Sequence, residues 1–263
     1  MTAAAEEVKA CCAAAYGSDA VRWLLGDRLH PGGAALTARL VDALAVGPGA
    51  LVADIACGPG ASALQAAERA GCQVVGIDLA PANVALAAAA ARTAGLAHRA
   101  RFVVADAEAL PLDAASVDGV LCECALCTFP DKPAAVREIA RVLRPGGALA
   151  LSDMTAQPDR LPGELRSLDA WIACVADARP LDSLAALLAQ NGLTVARRER
   201  HDRALRELIE RADARLRLAR ALGSRLPAAL AGSIERGLTI AAAARDAVSS
   251  GVLGYAIVVA RRP

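Results

Sequence analysis

Three aspartates each close an apolar run: Asp54 after Leu51-Val52-Ala53, Asp78 after Val74-Val75-Gly76-Ile77, and Asp106 after residues 101–105. Ionised carboxylates only accept hydrogen bonds, so such a set suits a ligand rich in donors or positive charge. Between the first two acids lies Asp54-Ile55-Ala56-Cys57-Gly58-Pro59-Gly60, a turn of small residues, and then an alanine-rich helical pattern from Ala61 to Ala70. Small residues there let the backbone approach a ligand and adopt positive φ.

Two ligand classes suit a strand–turn–helix of this kind. The dinucleotide fingerprint G-x-G-x-x-G sets a pyrophosphate on the helix N-terminus. Here the spacing is D-x-A-x-G-x-G. An acid ahead of the glycines repels a pyrophosphate and attracts an ammonium group. That points to S-adenosylmethionine, which has an ammonium and no phosphate. On this reading Asp54 meets the ammonium. Asp78, ending the second strand of the βαβ unit, accepts from the ribose hydroxyls. Asp106 accepts from the adenine amine. An ordinary βα turn in some other α/β enzyme is the competing explanation of the turn.

The elements that must position these acids alternate along the chain. Strands are expected at 51–55, 73–77, 101–105, 117–122 and 148–152, with helices at 61–70, 81–94 and 133–143 between them. Arg144-Pro145-Gly146-Gly147 reads as a turn. This alternation predicts a Rossmann-like, doubly wound α/β fold with a parallel core. Further on, a helix over 181–191 ends at Gly192, strands are expected at 194–199 and 255–260, and two or three helices fill 203–249. The last two strands should pair antiparallel and cover the sheet edge, giving a seven-strand mixed sheet with a C-terminal helical insertion. Residues 5–16 and a helix reaching Leu25, N-capped by Ser18, form an expected helical cap. The predicted division is a cap over 1–46 and one domain over 47–263, with its core at 50–155.

Bulk properties narrow the classes. A chain of 263 residues suits one large α/β domain. Aromatics are only 2 %, so the core must be built from Leu, Val and Ala. A net charge of +1 gives no electrostatic reason to expect nucleic acid or an anionic membrane as partner. No apolar stretch reaches the length of a membrane span. The first residues carry acids and no basic region, unlike a signal peptide. A cytoplasmic protein is expected, with its eight cysteines reduced.

The series V-A-D-A-E-A-L-P-L, then S-V-D-G-V, then R-V-L-R-P-G-G resembles the class I methyltransferases over residues 50–155. The turn resembles their motif I, with Ala56 in place of the usual first glycine. The resemblance implies S-adenosylmethionine as cofactor and a contact set of Asp54, Ala56, Gly58, Gly60, Asp78, Leu79, Asp106, Ala107 and Glu123.

Three thiols leave the fourth strand: Cys122, Cys124 and Cys127, in the spacing C-x-C-x-x-C. They could share a soft ion or pack as small apolar groups. In a class I methyltransferase that strand exit faces the transferable methyl group. The arrangement resembles the arsenite methyltransferases, in which a cysteine precedes Pro-Asp-Lys. Cys124, ahead of Pro130-Asp131-Lys132, takes that place. Ile172-Ala173-Cys174-Val175-Ala176-Asp177-Ala178 resembles the segment carrying a second family cysteine, and Cys11-Cys12 offers a third. The resemblance implies Cys124, Cys174 and Cys12 as metalloid ligands, with Cys11, Cys122 and Cys127 as further candidates. Three sulfurs leave arsenic(III) a lone pair that attacks in line, with no proton to remove, so catalysis becomes proximity and orientation. Arg179-Pro180 departs from the family pattern beside the second cysteine. Cys57 and Cys72 read as structural. His30, ahead of Pro31-Gly32-Gly33, reads as a capping or cofactor-loop residue rather than a base.

Three functions follow from these residues. The first is methylation of a soft, thiol-bound centre such as arsenite. The second is methylation of oxygen, nitrogen or carbon on a small molecule, with structural cysteines. The third is a non-catalytic metal or metalloid binder.

Overall fold

The computed structural model describes residues 19–26, 28–166, 175, 177–222 and 228–263. Cys11, Cys12 and Cys174 lie outside the described residues, as do Ser18 and the helix expected over 5–16. The sheet consists of β1 (Leu51–Ile55), β2 (Gln73–Asp78), β3 (Ala100–Val104), β4 (Val117–Glu123), β5 (Leu143–Ala156), β6 (Thr194–Arg200) and β7 (Leu253–Arg261). Its order is β3-β2-β1-β4-β5-β7-β6. The first five strands run parallel, and β7 lies antiparallel between β5 and β6. The expected seven-strand mixed sheet is therefore the observed one.

The helices are α1 (Asp19–Leu25), α2 (Gly33–Leu44), α3 (Ala61–Ala70), α4 (Pro81–Thr93), α5 (Lys132–Val142), α6 (Leu181–Gln190), α7 (Asp202–Ala221) and α8 (Ala228–Ser249). Leu36, Leu40, Val41 and Leu44 recur at helical spacing and bury one face of α2. That face joins Ala63, Ala66 and Ala67 of α3, Leu205 and Ile209 of α7, and Ala241 and Ala244 of α8 in one core layer. The opposite layer packs Ala135, Val136 and Ile139 of α5 and Leu184 and Leu188 of α6 on the other sheet face. Each fully buried Leu, Val or Ile contributes about 1.5–3 kcal/mol. Alanine does something different in α3: with no bulk beyond Cβ, it brings the helix close to the sheet beside the first turn. None of the described helices is long and apolar enough to cross a membrane.

Arg144-Pro145-Gly146-Gly147 is not a free turn, as the sequence suggests, but the start of β5. The Gly146 amide donates to Arg262 O, and the Arg262 amide donates to Gly147 O. Pairing with the far end of the chain absorbs the segment, and Gly146 at φ 80 supplies the kink. The outer strand β6 exposes Arg197, Arg198 and Arg200, charges that discourage further strand pairing.

Candidate functional site

At the carboxyl ends of β1, β2 and β4, where the strand order reverses, lies a cavity of about 150 Å³. Asp54, Ala56, Gly58, Asp78, Leu79, Asp106, Ala107, Glu123 and Cys124 line it, together with Arg28, His30, Asn83, Thr128 and Phe129. Of the expected cofactor contacts, only Gly60 does not. Gly60 precedes α3 at φ 87, and a Cβ there would stand 2.7 Å from Ala87 Cβ and 3.1 Å from the Phe102 ring. Its role is to let the turn pass beneath α4.

The turn after β1 holds Ala56 at φ 55 and Gly58 at φ 53. Left-handed backbone costs alanine roughly 1–2 kcal/mol that glycine does not incur. Asp78 braces the turn: its Oδ2 accepts from the Gly58 amide at 2.8 Å. Its Oδ1 accepts from the Ala80 amide at 2.9 Å and from Asn83 Nδ2 at 3.1 Å.

Asp54 is 1 % exposed, and its Oδ2 has no hydrogen-bond partner. Burial, then the charges of Glu123 and Asp78, hold its carboxyl well above the usual carboxylate range. Glu123 Oε2 accepts from Thr37 Oγ1 at 3.2 Å and faces His30 Nε2 at 3.4 Å, while Oε1 is buried without a partner. His30 Nδ1 lies 3.2 Å from Pro31 O, a pure acceptor, so Nδ1 carries the hydrogen. His30 Nε2 lies 3.4 Å from Thr37 Oγ1 as well as from Glu123, so both ring nitrogens face groups of the protein. Arg28 Nη1 reaches Thr37 Oγ1 at 3.4 Å and brings a guanidinium to the same rim. The Asp106 carboxylate accepts from the Glu108 amide at 2.9 Å.

The structure separates the three cysteines of the fourth strand. Cys122 is fully buried in the layer with α5, and desolvation pushes its thiol far up. Cys127 is buried in the opposite layer, its amide donating to Asp153 Oδ2 at 2.8 Å. Neither lines the cavity, so neither is placed to ligate a shared ion there. Strand β4 ends at Glu123, and Cys124 then takes φ 53, lines the cavity and packs against the core layer of α2. Among the described residues, no group of three His, Cys, Asp or Glu side chains is arranged to hold a metal. Cys57 lines the turn, and burial raises its thiol. Cys72 is buried against Ala66 O at 3.5 Å.

Sequence reasoning missed Asn83, Arg28, Thr37 and the task of Lys132. Pro130-Asp131-Lys132 is a structural device. Asp131 Oδ1 accepts from the Ala134 amide at 2.9 Å and caps α5. The buried Lys132 ammonium donates to Cys127 O at 3.1 Å, to Phe129 O at 3.0 Å and to Asp177. It ties the wall carrying Thr128 and Phe129 to the connection between β5 and α6.

A methyltransferase-domain model matches residues 53–151, the span that contains all three strand-end acids. An O-methyltransferase of Aspergillus nomiae, rstn1, is 31 % identical over 61 % of this chain and 71 % of its own length. The chain belongs to the class I S-adenosylmethionine-dependent methyltransferases. An arsenite methyltransferase of Halobacterium salinarum is 31 % identical over 56 % of this chain and 38 % of its own length. The chain spans about half the length of several other curated methyltransferases that it matches. Among solved structures, geranyl diphosphate C-methyltransferase from Streptomyces coelicolor A3(2), in complex with S-adenosyl-L-homocysteine, superposes with a TM-score of 0.71. It has 19 % identity and covers 100 % of this chain and 99 % of that one, which shows the shared fold.

Proposed function

We propose that this chain moves the methyl group of S-adenosylmethionine to a small organic acceptor, at the end of the cavity bounded by Cys124, Ala125, Thr128 and Phe129. One observation carries the cofactor part: Asp54 Oδ2, Glu123 Oε1 and Asn83 Oδ1 are buried, lack partners and belong to residues lining one cavity. All three are acceptors. A buried acceptor without a partner costs about 1–3 kcal/mol, so the cavity favours a ligand rich in donors and positive charge. S-adenosylmethionine has an ammonium, a sulfonium, a ribose diol and an adenine amine to meet them. When bound, it supplies a methyl group activated by the sulfonium.

On this reading Asp54 and Glu123 hold the ammonium end, and Arg28 meets the carboxylate. Asp78 braces both the turn and the ribose. Asp106 takes the adenine amine. Lys132 fixes the wall against which the acceptor rests. Holding both reactants in line can supply about 7–11 kcal/mol of the barrier reduction.

A second reading, a soft thiol-bound acceptor such as arsenite, rests on Cys124, a residue lining the cavity, and on the similarity to the halobacterial arsenite methyltransferase. The further ligands that the family resemblance implies, Cys174 and Cys12, lie outside the described residues. Transfer of label from methyl-labelled S-adenosylmethionine separates the two. The acceptors are hydroxyl- and amine-bearing small molecules, and arsenite with glutathione. The first reading expects an organic product and activity retained in Cys124→Ser. An arsenic product that is lost in Cys124→Ser establishes the second. No labelled product with either acceptor class contradicts both.

A further inference from the structure

Near the start of β7, side chains from three other elements converge on Gly254. A Cβ there would stand 2.5 Å from Asp202 Oδ1, 3.0 Å from Thr155 Oγ1 and 3.1 Å from Arg200 Nη2, so glycine alone leaves them room. Beside them lies a second cavity, of about 260 Å³, lined by Thr155, Arg200, Gly254 and the start of α6 at Pro180, Leu181 and Asp182. It shares no lining residue with the cofactor cavity. Strands β5 and β6 end at it and β7 begins at it, so it lies along the same edge of the sheet.

The lining groups with hydrogen-bonding capacity to spare are donors. Alternation along β5 puts Thr155 on the face of Leu149 and Leu151, toward α5 and α6. Thr155 is 6 % exposed and lines the cavity, and its hydroxyl has no hydrogen-bond partner among the described residues. A buried polar group normally has one. Arg200 gives Nε and Nη2 to the same oxygen, Asp202 Oδ2, at 2.9 and 2.7 Å, which leaves Nη1 without a partner among the described residues. Helix α6 runs for 10 residues, and Pro180 has no side-chain group to cap it. The amides of its first turn therefore lack partners within the helix and carry the positive end of its dipole. The acid of the lining, Asp182, is turned away: its side chain is 92 % exposed and accepts from Arg198 Nη1 at 2.6 Å.

We propose that this cavity binds a small oxyanion of the phosphate class, held by the Thr155 hydroxyl, the Arg200 guanidinium and the first-turn amides of α6. A hydroxyl, a guanidinium and a helix N-terminus are the donors that a tetrahedral oxyanion takes. The site is separate from the methyl-transfer cavity, and its occupant joins the end of β5 to the end of β6 and the start of α6.

The test is calorimetric titration of the full chain with inorganic phosphate and with methyl phosphate, at ionic strength held constant with chloride, with and without saturating S-adenosylhomocysteine. The wild type should bind one equivalent in either condition. Tighter binding of methyl phosphate assigns the site to the phosphate end of a larger molecule, and tighter binding of inorganic phosphate to the free anion. Thr155→Val and Arg200→Gln should each weaken binding roughly tenfold, whereas Thr155→Ser, which keeps the hydroxyl, should stay within about threefold of wild type. Affinity for S-adenosylhomocysteine should be the same in all three variants. Valine and serine at 155 keep the comparison decisive if Arg200→Gln, which also frees Asp202, fails to fold. Absence of saturable binding to the wild type, or equal binding by Thr155→Val and Thr155→Ser, overturns the proposal. Loss of phosphate binding when S-adenosylhomocysteine is present also overturns it, by placing the anion in the cofactor cavity.

Discussion

Asp54 and Glu123 line one cavity from neighbouring parallel strands, and each keeps one buried carboxylate oxygen without a partner. The charge of Glu123 raises the cost of ionising Asp54, and on the proposed reading the ammonium of the cofactor meets this pair.

Stability without cofactor should therefore depend on pH through Asp54. Its folded value is raised above 3.8, so between 3.8 and that value the folded state holds a proton that the unfolded state has lost. Stability falls as pH rises through this window. A bound cation removes the penalty, so the increase in Tm caused by S-adenosylmethionine should grow as pH rises across the same window. Thermal unfolding with and without cofactor, in wild type and Asp54→Asn, checks this. The asparagine variant should show a flatter pH profile and a smaller cofactor effect.

Asp78→Ala should weaken S-adenosylmethionine binding by about 1–3 kcal/mol, because the ribose and the Gly58 amide lose an acceptor together. The same variant should unfold at lower temperature even without ligand. An unchanged dissociation constant by calorimetry counts against the assignment.

Gly60→Ala should lower stability by about 2–4 kcal/mol, from overpacking against Ala87 and Phe102 and from a left-handed backbone at φ 87. Denaturant unfolding measures it. A loss below ~0.5 kcal/mol would mean that α4 shifts freely away from the turn.

Lys132→Met should cost about 1–3 kcal/mol, since Cys127 O, Phe129 O and Asp177 lose a shared donor. Cofactor affinity should change much less than stability, because Cys127 O and Phe129 O belong to the wall on the acceptor side and Asp177 to the connection behind it. Equal losses in both would place it closer to the cofactor than described.

Much of the frame was legible in the sequence. Apolar runs ending in Asp54 and Asp78 gave the strands and the reversal point, because parallel strands are buried on both faces and read as continuous hydrophobic segments. The C-x-C-x-x-C spacing misled. Period-two alternation would put Cys122 and Cys124 on one face, but β4 stops at Glu123 and the left-handed Cys124 breaks the alternation. Nothing in composition announces a positive φ at a cysteine. Asn83 and Lys132 were illegible for another reason: their meaning lies in partners from other elements, Asp78 for one and Asp177 for the other.

The measurement that bears most directly on the central claim is calorimetric binding of S-adenosylmethionine to the wild type, Asp54→Asn and Glu123→Gln. The wild type should bind one equivalent, and each neutralised variant should bind at least tenfold more weakly while remaining folded, through loss of a buried charge-assisted contact of about 1.5–3 kcal/mol. Wild-type protein that binds no S-adenosylmethionine, or variants that bind it as tightly as wild type, would contradict the assignment of these two carboxylates to the cofactor.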